Sequence, residues 1–304
     1  MSRESKTNRK LEAKRFFIYV ALSFILAWIV MFAFILTGHK WDEENRLITL
    51  VSLGMLSPVI AHLLTRWLTK EGFPLTGKGS LMLGISFKDK KWIYFIIAML
   101  LPWLYFELGQ AISILAVPEA FNPEYYKTFG IDKKMIFIVP IAGIINGTIA
   151  SFAALGEEGG WRGYMMPKLM ELVGTRKAVF IGGIIWGLWH APLTCVGHNF
   201  GTDYPGFPYL GILIMCVDCT FLGSLLTYVT VKSGSIWPAT IMHAVNNVNP
   251  SILKFFFETE KANTLMPHPI LGWIFDFIPT IIIGLICLVL LCREDTHGTK
   301  NKSL

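Results

Sequence analysis

The sequence predicts an all-α fold, a polytopic transmembrane helical bundle of about eight spans, and three observations predict it. Of the 304 residues, 53% are hydrophobic and 16% charged, well under the roughly 25% charged of soluble globular domains. The charges leave apolar runs of about twenty residues, the length that a bilayer requires. Finally, 20 of the 27 Lys and Arg fall in alternate connections between those runs, the bias that orients helical membrane proteins.

The runs lie at 16–37, 47–65, 92–117, 135–155, 178–196, 209–231, 236–249 and 269–292. The first follows a basic stretch, Met1 to Arg15, and is too long and too plainly flanked for a cleaved secretory signal. It reads as a retained span. The seventh, Ile236 to Asn249, is short and polar for a membrane segment, so it belongs inside the bundle, shielded by other helices. Placing the N-terminus inside puts the basic-rich segments 1–15, 66–91, 156–177, 232–235 and 293–304 on the cytoplasmic side, and both termini with them. The net charge of +6 is then a signal of topology and of contact with membrane lipids, and nucleic acid is not an expected partner.

The longest inner connection, 66–91, contains Gly-Lys-Gly and Gly-x-Pro turns and reads as a loop, not a domain. Residues 1–304 therefore form one membrane-embedded domain, with its motif-bearing core at about 135–250. Five cysteines lie in or beside apolar runs and make no disulfide framework. Cys216 and Cys219 form a C-x-x-C pair inside a span, where packing accounts for them. Glu107 and Asp218, each alone in its span, read as packing-shielded or as partners between helices.

Ionisable residues at membrane depth cost about 2.5–3.5 kcal/mol each on insertion scales and so mark function. Three clusters carry them. In Gly156-Glu157-Glu158-Gly159-Gly160-Trp161-Arg162, Glu158 and Arg162 are four apart and share a helix face if the fourth helix continues. Glu157, turned away by about 100°, is left as the candidate base. His190 in Trp186-Gly187-Leu188-Trp189-His190 sits in the fifth run. It lies about 18 Å along a helix starting at Ala178, too deep to meet a Glu157 at the cytoplasmic edge unless the helix boundaries shift. The third cluster is His243 and Asn247, one turn apart on the short seventh segment. Each cluster alone has a structural reading, such as a solvated ion pair, a carbonyl-bonded histidine or an interhelical hydrogen bond. Together they supply a carboxylate and imidazole to activate water, and a second imidazole and an amide to hold an oxyanion, the parts that amide hydrolysis requires. Neither a G-x-S-x-G elbow nor an H-E-x-x-H zinc helix occurs.

Glu157-Glu158-x-x-x-Arg162 with its Trp161-Arg162-Gly163-Tyr164 continuation, then Trp186 to His190, then His243-x-x-x-Asn247, resembles the CAAX-protease and bacteriocin-processing (Abi) family of intramembrane endopeptidases. The family usually has Phe where Trp186 stands. The resemblance implies that Glu157 and His190 position the attacking water, that His243 and Asn247 stabilise the oxyanion, and that Glu158 and Arg162 orient them. The family is often called a metalloprotease with zinc as the suggested ion, and Glu157, His190 and His243 are the three candidate ligands, with a fourth position open. A metal-free glutamate mechanism uses the same residues. The expected substrate is a membrane-associated peptide or a lipidated protein, with prenylated C-terminal, leader and bacteriocin-type peptides all compatible. The alternative is a non-catalytic membrane adaptor on the same fold. A transporter would bring inverted repeats and paired broken helices, which the sequence does not display.

Overall fold

The structure, a computed structural model, describes residues 3–38, 52–77, 80–266, 268 and 270–300, with backbone alone for 3–7, 270 and 294–300. The principal helices are α1 (Arg3–Leu36), α2 (Ser57–Leu68), α3 (Trp92–Ala116), α4 (Val139–Gly160), α5 (Met166–Val173), α6 (Thr175–Trp189), α7 (Tyr209–Ser233), α8 (Trp237–Val248) and α9 (Ile270–Lys300). Their ends follow local chemistry. Pro58, Pro140 and Pro238 open α2, α4 and α8, where a missing amide hydrogen costs nothing. Gly234 closes α7 with a left-handed φ of 72°, which only glycine adopts without strain.

Among the described residues, five helices are long and apolar enough to cross a membrane: Asn8–Leu36, Lys88–Ala116, Val139–Val173, Tyr209–Ser233 and Leu271–Arg293. They coincide with the expected first, third, fourth, sixth and eighth runs. The expected second run appears as the shorter apolar helix Leu53–Leu68, residues 47–51 lying outside those described. The fifth and seventh are α6 and α8, of 15 and 12 residues. The protein is thus a multi-pass membrane protein in which shorter helices pack among long ones.

Its surface is inverted relative to a soluble protein. Leu100, Leu104 and Leu108 on α3, and Ile141, Ile145 and Ile149 on α4, point outward at helical spacing, an apolar stripe that only lipid accommodates. Inside lie Glu157, Glu158, Arg162, His190 and His243. Glycines let the helices close around them. A Cβ on Gly147 would sit 2.7 Å from Val245 Cα, and one on Gly187 would sit 2.5 Å from Cys216 Cα. These two positions bring α8 onto α4 and α7 onto α6, the close approach that drives helix association in lipid.

One boundary departs from expectation, and the site depends on it. The segment 156–177, expected as a cytoplasmic loop, is helix and sharp turn. Here α4 continues through a π-helical turn, Trp161–Met165, into α5, and Gly174, with φ of 80°, reverses the chain into α6. Glu157 is therefore about 24 Å from the end of α5 at Val173, and His190 about 22 Å from the start of α6 at Thr175. The mismatch in depth disappears. Arg66 and Arg162 are buried and do not belong in a count of loop charges, yet the basic bias survives without them.

Candidate active site

Glu157 is 2% exposed, and its Oε2 accepts two indole hydrogen bonds. Trp186 Nε1 donates at 2.8 Å across from α6, and Trp161 Nε1 donates at 3.3 Å from the next turn. Both donors fall on one oxygen, which leaves Oε1 as the atom to meet a water. Glu158, with no exposed surface, turns the other way. Its Oε1 accepts from Arg162 Nη1 at 3.1 Å and lies 2.8 Å from His243 Nδ1 on α8. A carboxylate can only accept, so Nδ1 of His243 carries a proton and its Nε2 faces away from Glu158.

His190 caps the C-terminal end of α6. Its Nδ1 lies 2.9 Å from the Trp186 carbonyl, which again fixes the proton on Nδ1 and leaves the Nε2 lone pair in the neutral ring. Trp189 packs edge-on against it, with centroids 4.7 Å apart. The end of α6 is anchored in turn by Trp28 Nε1 of α1, which donates to Trp189 O at 3.1 Å.

Trp186 is where the motifs meet. Its N–H holds Glu157 and its carbonyl holds His190. Its ring lies 5.4 Å from that of His243 and 6.1 Å from that of His190. The Arg162 guanidinium stacks 4.2 Å from its centroid. Glu157, Glu158, Arg162, His190 and His243 thus come together from α4, the π turn, α6 and α8. Asn247 is not gathered with them. It is exposed on the next turn of α8, and its Oδ1 accepts from Asn246 Nδ2 at 3.4 Å.

Among the described residues no three His, Cys, Asp or Glu side chains come together as a metal site. The hydrogen bonds leave Glu157 Oε1, His190 Nε2 and His243 Nε2 open, with each histidine held through Nδ1 as metal-ligating histidines usually are. The donor set therefore suits an ion, although the three side chains are not gathered as a metal site in this arrangement.

Glu107 and Asp276 are structural. Glu107 accepts from the Leu253 amide at 3.2 Å and also holds the Ile252 amide, capping a turn. Asp276 on α9 accepts from Gln110 at 2.8 Å and Ser113 at 3.1 Å on α3. Sequence reasoning singled out Trp186 only as a position and missed its N–H. It also missed His62 on α2, whose Nδ1 lies 2.8 Å from Gly159 O beside the two glutamates. The signal was present: a histidine inside an apolar run, four residues before an arginine.

Residues 137–249 match the family model described as Type II CAAX prenyl endopeptidase Rce1-like. The chain is 31% identical over 113 residues to CAAX prenyl protease 2 of Methanococcus maripaludis, covering 37% of this chain and 42% of that protein. It is 24% identical over 211 residues to Lysostaphin resistance protein A of Staphylococcus haemolyticus, covering 69% of this chain and 50% of that protein. The chain spans half or less of the length of these curated relatives.

Proposed function

We propose that the chain is an intramembrane endopeptidase of the CAAX-protease and bacteriocin-processing family that cleaves a membrane-associated peptide or lipidated protein by water attack, a reading supported by the match of residues 137–249 to the Rce1-like model. The observation that carries this reading is the meeting of three motifs on Trp186, at matched depth within the bundle.

In the proposed reaction Glu157 Oε1 takes a proton from a water as that water attacks the scissile carbonyl. The two indole donors hold the carboxylate in one orientation, so its base oxygen is aimed before substrate arrives. In the neutral ring, whose Nδ1–H goes to the Trp186 carbonyl, His190 Nε2 accepts the other water hydrogen and fixes the water's position. The carbonyl oxygen, now an oxyanion, is met by His243 Nε2–H in the charged form of that ring, with Glu158 as counter-charge, and by the Asn247 amide. Asn247 must approach from its exposed position when the peptide binds, and apo geometry of this kind commonly tightens in the complex. The proton on Glu157 then passes to the departing amine as the C–N bond breaks. Glu158 is bonded to both Arg162 and His243, which couples the helix carrying the base to the helix carrying the oxyanion donors.

The test is hydrolysis of a fluorogenic peptide library, including farnesylated C-terminal peptides, by the protein purified in detergent. Glu157→Gln preserves an acceptor for both indoles and removes the base. We expect kcat to fall at least about 100-fold, with an unchanged unfolding temperature. Equal turnover by wild type and Glu157→Gln would remove Glu157 as the base, and no hydrolysis above background by the wild type would replace this reading with that of a non-catalytic membrane adaptor.

A further inference from the structure

His62 is fully buried on α2, outside the segment 137–249 that matches the family model, and it touches the backbone of the Glu157-Glu158 turn. Its Nδ1 lies 2.8 Å from Gly159 O, and its Nε2 lies 2.6 Å from Arg66 Nε. A guanidinium can only donate and a carbonyl can only accept. The ring must therefore be neutral, with its proton on Nδ1 directed at Gly159. Arg66, itself buried, is held in place by Gly72 O at 3.0 Å and lies 3.9 Å from Glu71. Tyr164 covers the imidazole, with centroids 4.3 Å apart and planes 30° apart, and its hydroxyl donates to Glu71 at 2.8 Å.

Gly159 occupies a sensitive place. It follows Glu158 directly and precedes the π turn that begins at Trp161. A π turn widens the helix by one residue and breaks the regular i→i+4 ladder, a feature that recurs at functional sites. The i,i+4 contacts from Glu157 to Trp161 and from Glu158 to Arg162 both span this junction. A carbonyl pinned from a neighbouring helix sets how the junction is wound, and so where both carboxylates point.

We propose that His62 is a positioning residue of the site, holding Glu157 and Glu158 on their partners through the Gly159 carbonyl. This rests on the endopeptidase reading for its kinetic consequence, though its structural consequence does not. The experiment compares His62→Asn, whose amide restores a donor close to the Nδ1 position, with His62→Leu, which has nearly the same shape and no donor. In the full-length protein in detergent, His62→Leu should lower kcat by about 10–100-fold, the scale of a displacement of about 1 Å, with KM changed less than about twofold. Residues 157–165 should also exchange amide hydrogen for deuterium faster. His62→Asn should stay within about threefold of wild type in kcat and match its exchange. Equal kcat and equal exchange in the two variants overturns the proposal. So does failure of both to fold, because His62 would then serve stability alone. If wild type shows no hydrolysis above background, the endopeptidase reading fails, and the exchange comparison still decides the role of His62.

Discussion

Removing Arg162 should expose how the bundle tolerates a carboxylate with no access to water. Glu158 has no exposed surface and Arg162 is 3% exposed, with 3.1 Å between Nη1 and Oε1. Breaking a buried pair by deleting one partner costs about 3–5 kcal/mol, because the remaining charge stays uncompensated. His243 also meets Glu158 at 2.8 Å and compensates part of that charge, which favours the lower end. The guanidinium over Trp186, 4.2 Å from the ring, adds roughly 1–2 kcal/mol of cation–π contact when desolvated. Arg162→Ala should therefore cost about 4 kcal/mol and lower the unfolding temperature in detergent by roughly 8–16 °C, at about 2–4 °C per kcal/mol. Peptide hydrolysis should be lost as well, since His243 then becomes the sole charge partner of Glu158. The control is Glu158→Gln/Arg162→Ala, which keeps the same cavity and removes both charges. It should recover at least half of the lost stability, the non-additivity expected of a coupled pair. An Arg162→Ala protein that unfolds within about 2 °C of wild type, or a double variant no more stable than the single, would refute the buried-pair argument.

Three further outcomes follow from the rest of the molecule. Glu71, outside the spans, is pushed up by burial but drawn further down by hydrogen bonds from Lys168 and Tyr164, ending below its ordinary 4.5. A depressed carboxylate contributes stability above its unfolded value and loses it as pH falls through the folded one. The gap in unfolding temperature between wild type and Glu71→Gln should thus be full at neutral pH and close below pH 4.5; a gap that persists undiminished at about pH 3 would contradict it. Gly147→Ala places a methyl 2.7 Å from Val245 Cα, and overpacking of this kind costs about 1–3 kcal/mol; both unfolding temperature and kcat should fall because His243 rides on the displaced helix, and a variant indistinguishable from wild type would count against that contact. Cysteines introduced at Ser2 and Lys300 should react with an impermeant reagent only after the membrane is opened, as the basic-residue bias predicts, and labelling of either in intact cells would overturn the inward placement of the termini.

Composition and spacing were enough for the class of fold and for which ionisable residues are buried inside it. Apolar runs of bilayer length and a one-sided basic bias are direct consequences of solvation in lipid, so they are written residue by residue. The same holds for Glu157, Glu158, Arg162, His190 and His243, whose burial in a membrane is too costly to be incidental. The i,i+4 pairing of Glu158 with Arg162 followed from helix geometry and is present at 3.1 Å. Which atoms meet was not legible. The π turn at Trp161–Met165 that carries α4 on into α5 has no sequence periodicity of its own, and without it Glu157 was misplaced at the cytoplasmic edge. The Trp186 indole on Glu157 and the His62 imidazole on Gly159 join residues 29 and 97 positions apart. Contacts at such separations need helices packed to backbone distance, as where a Cβ on Gly160 of α4 would sit 2.4 Å from the Pro58 carbonyl carbon of α2, and that closeness is a property of packed surfaces together, which no single run of sequence contains.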